Sequence, residues 1–557
     1  MINRIFFLTN LLLIVLFTGV VQNVNAQSHN ERVTVVGSFQ PKISEFNKVH
    51  VEPTSDQAVF QQPKVEYSFI NMMAETKTEL EKIPPLVVNP DRSSDAFNNY
   101  FRFAFGSLLS PFVLFQHHSE LSDKTAFSLG IRHASTWSDV KDHAPSTFMN
   151  NALNTSLNHQ LTNHKISAGI GYSHNLLHYY GFNPSDYGVT IQKSDINQAY
   201  QTITFASTLE SQYNEISRFH HAIGLDYSFF GNKMSTSENH IGLSAMGRKD
   251  FELFDFGGNQ SIGIKTSLDY YSNKDSLQSS GNGKLELTPG FTLSGDFFKL
   301  SLGLRLDAMF GDSSQTHLSP DVSANLFLLE NALDVYVTLT GGVNWNGFSK
   351  LASENPFISP IVPLGWEKTR LDLKAGMRAM PLKNLDLHAG IRYAMVENMA
   401  FFITDGLSDY NNTFTMVYDK VGQFTFNADA SFRLNQSVSF TGQLKVNHFS
   451  TDELTKAWHK PAFEFKASTD VRPVDRLTLS GSLLFAGKRY APTYAGTIET
   501  IHELDPFLDL NLAAEYSISR QFTVFTELTN LLGTGYEKYY HYPVHGLQLF
   551  GGLSYKF

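Results

Sequence analysis

The chain has 557 residues, of which 13% are aromatic, with 46 Phe and 23 Tyr, and only 17% are charged, against roughly 25% in soluble domains. Its net charge of −10 is spread along the sequence without a basic tract, which excludes a nucleic-acid partner. With no cysteine it can carry neither a lipoprotein anchor, a disulfide framework nor a thiolate zinc site, and after residue 26 no apolar run reaches the length of a membrane helix.

The first segment reads as a secretory signal. Arg4 supplies the positive n-region, 5–21 the apolar h-region, and Val24-Asn25-Ala26 before Gln27 the small residues of a cleavage site, so 1–26 is expected to be removed on export. The following stretch, 27–98, is extended. It holds the β-prone run Glu31, Arg32, Val33, Thr34, Val35, Val36 and Gly37, then Pro41, Pro53, Pro63, Pro84, Pro85 and Pro90, a spacing that disfavours a continuous helix or a central strand.

From residue 99 to the end the pattern changes to repeated alternation. Over 300–310, Leu300, Leu302, Leu304, Leu306, Ala308 and Phe310 share one face while Ser301, Gly303, Arg305 and Asp307 share the other. Over 370–379, Leu371, Leu373, Ala375, Met377 and Ala379 oppose Arg370, Asp372, Lys374 and Arg378. Over 424–434, Phe424, Phe426, Ala428, Ala430, Phe432 and Leu434 oppose Thr425, Asn427, Asp429, Ser431 and Arg433. A sheet inside a bilayer must satisfy every backbone amide internally and so must close, with apolar side chains toward lipid and polar ones inward. About 22 such segments follow one another, predicting an all-β fold: a transmembrane antiparallel barrel over 99–557. The connections alternate short (161–163, 330–331, 381–384, 435–437, 473–475, 519–521) and long (137–150, 181–197, 346–369, 396–412, 449–461, 487–505, 533–546). Every long loop falls on one side if the first strand starts in the periplasm, as outer-membrane barrels require.

The final strand places Leu549, Leu553, Tyr555 and Phe557 on one face, with Gly552 three residues before Tyr555. Gly552, Leu553, Tyr555 and the terminal aromatic Phe557 resemble the signal by which outer-membrane barrels are recognised by their insertion machinery. The run 417–422, Val-Tyr-Asp-Lys-Val-Gly, leading into the strand at 424, resembles a recurrent hairpin of TonB-dependent receptors. So does the ending: Phe525-Thr526-Glu527-Leu528-Thr529-Asn530-Leu531-Leu532, then Tyr536, Tyr542-Pro543, Gly546 and 552–557. The plug domain of that family does not fit into 27–98, and the chain resembles the plugless TonB-receptor-like barrels of Bacteroidota. The resemblance implies that Glu31 to Gly37 is a TonB box, pairing with the energising protein by strand addition, and that 27–98 is a reduced plug or a docking strap.

The inward register mixes both signs: Lys265 with Asp269, Arg305 with Asp307, Arg370 with Asp372 and Lys374, Asp386 with Arg392, and Asp429 with Arg433. A wall of this kind predicts no charge selectivity. Neither His117-His118 nor His220-His221 can chelate one ion from a regular strand, because adjacent side chains point to opposite faces. No metal, cofactor or enzyme activity is expected. The loop residues Tyr536, Tyr539, Tyr540, His541 and Tyr542 are aromatic enough to contact a sugar or a partner, or to form part of an interfacial girdle. The expectation is an outer-membrane barrel for solute uptake or passage, with outer-membrane lipids, the insertion machinery and TonB or other envelope proteins as partners. The alternative is a non-transporting subunit of a secretion, surface-export or outer-membrane assembly complex.

Overall fold

The computed structural model describes residues 97–557 apart from 213–216, 253–257 and 330–331. The predicted signal peptide and the run from Glu31 to Gly37 lie outside the described residues.

The strands follow one another as antiparallel neighbours. The first group is β1 (Asn99–Gly106), β2 (Ser110–Ser122), β3 (Thr125–Thr136), β4 (Phe148–Gln160), β5 (His164–His178), β6 (Asn197–Ser211), β7 (Phe219–Asn232) and β8 (Ser237–Phe251). Then come β9 (Asn259–Lys274), β10 (Ser279–Ser294), β11 (Phe298–Gly311), β12 (Gln315–Leu328), β13 (Leu333–Asn346), β14 (Gly365–Leu382), β15 (Leu385–Thr404) and β16 (Phe414–Arg433). The last are β17 (Val438–Thr451), β18 (Phe463–Val474), β19 (Leu477–Ala486), β20 (Arg489–Ala495), β21 (Ile498–Leu504), β22 (Phe507–Ser517), β23 (Phe522–Thr529), β24 (Glu537–Tyr539), β25 (Tyr542–Pro543) and β26 (Gln548–Lys556). Two pairs, β20–β21 and β24–β25, are hairpins within loops, and the other strands form one 22-stranded sheet.

The sheet closes because β1 pairs with β2 on one side and with β26 on the other, Tyr100 opposite Lys556 and Gly106 opposite Phe550. Closure leaves no row of unpaired amides, the condition for a sheet in hydrocarbon. The expected strand number and alternation hold. Leu302, Leu304 and Leu306 are 46%, 57% and 38% exposed on a surface that only lipid can cover, whereas Asp307 is fully buried on the inner face. Among the described residues no helix is long and apolar enough to cross a membrane. The closed barrel and its apolar outer belt are those of an outer-membrane protein, and its long connections lie at one end, called the outer end on the expectation that β1 starts in the periplasm.

Strands β14, β15 and β16 run to 18, 20 and 20 residues, well beyond the roughly 9–11 that span a bilayer. They rise into segments expected to be loops: β15 extends to Thr404 and the long 346–369 connection shrinks to 347–364. The reason is burial on both sides. Phe401 and Phe402, adjacent and so on opposite faces, are both sealed from solvent, one against Val421 and Trp458 and the other against the 347–364 loop.

Candidate functional site: the capped outer mouth and the inner wall

The 347–364 segment carries Pro356, Pro360 and Pro363, which cannot donate backbone hydrogen bonds, together with Phe348, Leu351, Ile358 and Val362, which are too apolar to remain in water. It therefore folds inward. A two-turn helix, Phe348–Glu354, buries Phe348, Leu351 and Ala352 against Tyr200 and Phe230, residues of the inward row of β6 and β7. The amide of Phe348 donates to Glu238 Oε2 at 2.9 Å, at the outer end of β8. Ile358 then forms a parallel bridge with Phe414 at the start of β16.

Four tyrosines capture carbonyls that the irregular backbone leaves open. Tyr539 donates to Glu354 O at 2.6 Å, Tyr200 to Pro356 O at 2.8 Å, Tyr179 to Ile358 O at 2.9 Å and Tyr418 to Pro363 O at 2.8 Å. Thr236 does the same for Pro360 O at 2.9 Å. These donors come from widely separated parts of the ring, so the segment crosses the outer mouth and is held from both sides. Carbonyls buried without a partner would each cost about 1–3 kcal/mol. Apolar burial supplies the rest of the cohesion. One continuous cluster joins Tyr200, Phe230, Phe402, Phe414, Met416, Tyr539 and Tyr542 to the segment.

The last outer loop completes this cap. Tyr542 lies against Phe357 with ring centres 3.7 Å apart, its hydroxyl bonds Asn412 O, and Tyr180 bonds Pro543 O at 2.9 Å. Tyr536 stacks on Phe507 at 3.9 Å and bonds Asp509 at 2.8 Å, and Tyr540 stacks on His502 at 4.5 Å. Of the five residues singled out in this loop, Tyr539 and Tyr542 are thus interior to the cap, Tyr536 and Tyr540 are half-buried and His541 is exposed. Neither a presented contact patch nor an interfacial girdle describes the two buried rings. Arg489 ties the neighbouring loop in by donating to Glu537 O at 2.7 Å, Lys538 O at 3.1 Å and Asp505 O at 3.2 Å.

His459 sits at the centre of these contacts. Its Nδ1 donates to Phe402 O at 3.2 Å and its Nε2 faces the Tyr540 amide at 3.5 Å. Burial holds its pKa down at about 3, against an ordinary 6.5. Because the closed cap accepts only the neutral ring, this contribution is intact above pH 6.5 and is lost as pH falls from there toward 3, at up to about 1.4 kcal/mol per pH unit. Glu537, whose carboxyl burial pushes upward, acts in the opposite sense, and His541 and His545, which burial pushes downward, in the same sense, so the difference between the natural chain and a His459 variant isolates the effect. Proteolysis of the 347–364 segment is expected to accelerate between pH 7 and pH 4, and His459→Asn to flatten that slope. An unchanged slope would contradict the assignment.

The inner wall below the cap carries charge in cross-strand networks. Arg305 meets Glu286 at 2.8 Å and Asp307 at 3.0 Å, and Lys284 lies 3.6 Å from Glu286, 3.9 Å from Asp269 and 4.0 Å from Asp307. Asp372 takes Arg392 at 2.8 Å and Lys374 at 3.3 Å. Asp429 bonds His388 at 3.1 Å, not Arg433, and Asp386 pairs with Arg378, not Arg392. Arg370 falls at a bulge in β14 and pairs with Glu397 at 2.5 Å. There it shares a hollow with Tyr393, Met395 and Phe424 of the lipid-facing row and with Lys420 and Asp452, apart from the inner-wall networks. The His pairs split as expected. His117 bonds Asn99 and His118 bonds Ser128, while His220 faces Glu210 and His221 faces His164 at 3.1 Å. Among the described residues no group of three or more His, Asp or Glu could hold a metal ion.

The residues that sequence reasoning missed are those of the 347–364 segment with Tyr179, Tyr200 and Tyr418. A usable signal was present: apolar residues in 348–364 are too dense for a solvated loop.

No protein-family model and no curated protein matches the chain. Solved structures do. The siderophore receptor PirA from Acinetobacter baumannii superposes with a TM-score of 0.64 at 12% identity, covering 82% of this chain and 80% of that one. The pyoverdine outer membrane receptor FpvA from Pseudomonas aeruginosa PAO1, bound to pyoverdine, gives 0.63 at 13% identity over 83% and 78%. The ferric-catecholate import receptor Fiu from E. coli K12, in its closed form, gives 0.62 at 11% over 83% and 82%. At these identities the likeness is one of fold, and it extends the resemblance seen in the last strands to the barrel as a whole: this is an outer-membrane β-barrel with the fold of such receptors.

Proposed function

We propose that the chain is a TonB-dependent-receptor-like barrel through which a solute is taken up or passes, and not an enzyme. The observation that carries this reading is the mouth itself. It is closed by loops folded onto the inner face of the wall, and in this reading they move aside while the strands stay paired. Below it, opposite charges neutralise one another, which suits a path for solutes of either sign. In this reading Glu31 to Gly37 is the site of strand addition by TonB, and 27–98 reduces the inner opening.

The second reading is a non-transporting subunit of an envelope secretion, export or assembly complex. The cap favours it in one respect: its core is apolar and buried and five of its carbonyls are each taken up by a side-chain hydroxyl, which also suits a barrel that never conducts. Planar-bilayer recordings of the purified barrel with and without 27–98 separate the two. Large current steps released by the deletion support passage. Silence in both forms, with other envelope proteins co-purifying in fixed ratio, supports the subunit.

A further inference from the structure

Beside the cap, between the β9–β10 and β11–β12 turns, the rim holds a cleft of about 300 Å³. We propose that it binds a neutral, hydroxyl-rich molecule of mono- or disaccharide size, whether or not that molecule is what passes through the barrel.

The cleft has an aromatic side and an amide side. Trp345 and Trp366, both buried, stand with ring centres 4.9 Å apart at 62°, and Tyr271 stacks behind Trp345 at 5.7 Å. Such rings offer flat apolar surface for the C–H face of a sugar ring. Opposite them is Asn273, at the end of β9 and only 3% exposed. Neither its Nδ2 nor its Oδ1 has a partner among the described residues, and the Trp366 indole N–H has none either. Buried polar groups are normally satisfied, and an amide needs a donor and an acceptor at once. A hydroxyl supplies both.

The charges around the cleft argue against an ionic ligand. Lys274 and Lys368 are balanced by Asp275 and Asp312. Asp275 is occupied by the amides of Leu277 and Gln278 at 2.7 and 2.8 Å, Asp312 accepts from Asn282 at 2.9 Å, and Lys368 donates to Gln315. The two lysines and two aspartates sum to no net charge that would attract an anion or a cation, and the Asn273 amide and the Trp366 indole are buried without a partner among the described residues. The rest of the lining is mostly polar, with Gln278, Ser280, Asn282, Ser313, Gln315 and Asn398 around the two indoles, a surface that suits a ligand carrying many hydroxyls.

The whole chain, purified in a detergent without a sugar headgroup, is titrated with glucose, N-acetylglucosamine, maltose and cellobiose. Two of its 4 tryptophans line the cleft, so intrinsic fluorescence reports occupancy. Saturable binding of at least one probe, with a dissociation constant below about 10 mM, is expected. Asn273→Ala and the isosteric Asn273→Asp should each weaken it about tenfold or more, and Trp366→Phe should weaken it too. Trp137→Phe, in an exposed loop, should leave it unchanged. Each variant is checked for the compact, heat-modifiable electrophoretic form of a folded barrel. No saturable response to any of the four probes, or equal binding by folded Asn273 variants, overturns the proposal. Either result leaves the conductance test of passage unaffected.

Discussion

Gly552→Ala is expected to destabilise the closing seam by about 1–3 kcal/mol or more, whereas Gly551→Ala, one residue away, should leave it unchanged. Strand β26 completes the ring between β23 and β1. A Cβ on Gly552 would fall into the Phe525 ring and against the Phe103 carbonyl, while one on Gly551 would meet nothing within 4 Å. The obstruction cannot simply swing aside. Phe525 is buried, and the Arg102 guanidinium lies over its ring at 3.5 Å. That guanidinium is held in turn by Glu515 at 2.8 Å and by Glu527, so moving the ring disturbs an ion-pair bridge from β1 to β22 and β23. The temperature at which the barrel loses its compact electrophoretic form should drop for Gly552→Ala only. Equal behaviour of the two variants would show that the seam relaxes freely.

Trp458→Ala is expected to loosen the cap by about 3–5 kcal/mol, the usual cost of emptying a large aromatic site. Trp458 is fully buried and packs with Phe401 and Val421, flanked by Leu454, Tyr490 and Phe449. It supports one face of the tall β15–β16 hairpin, whose other face carries Phe402, Phe414 and Met416 into the cap core. The adjoining His459 and Lys460 reach the cap directly, Lys460 pairing with Glu354 at 2.5 Å. Loss of the indole therefore releases both the hairpin and the helix end that rests on it. Because the natural chain has no cysteine, a single Lys374→Cys substitution on the inner wall gives a clean reporter. In intact cells an impermeant maleimide should reach it faster when Trp458→Ala is also present. The same rate with and without Trp458→Ala would mean that the cap is supported elsewhere.

The barrel was legible in the sequence because hydrocarbon on one side imposes a period of two. In 300–310 every second residue is apolar, and the structure places those residues toward lipid. The cap was not legible by the same reasoning because its elements are buried on both faces or have no period. Phe401-Phe402 breaks the alternation, so the upper part of β15 reads as loop, although the break itself records two-sided packing. The prolines at 356, 360 and 363 read as loop correctly, but nothing local says that their carbonyls will meet tyrosines at 179, 200 and 418. The charge partners were hidden for a related reason. Cross-strand neighbours such as Asp372 and Arg392 depend on register, and Asp429 and Arg433, four apart on one strand, give way to the cross-strand pair of Asp429 with His388. The bulge that turns Arg370 aside likewise has no signature in composition.

The most direct test of the capped mouth uses the Lys374→Cys reporter in two chains, one intact and one in which residues 348–362 are replaced by a short Gly-Ser link. The account predicts slow labelling from outside the cell in the first and far faster labelling in the second, with both barrels folded. An intact chain that labels as quickly as the shortened one would mean that the mouth stands open and that the cap closes nothing.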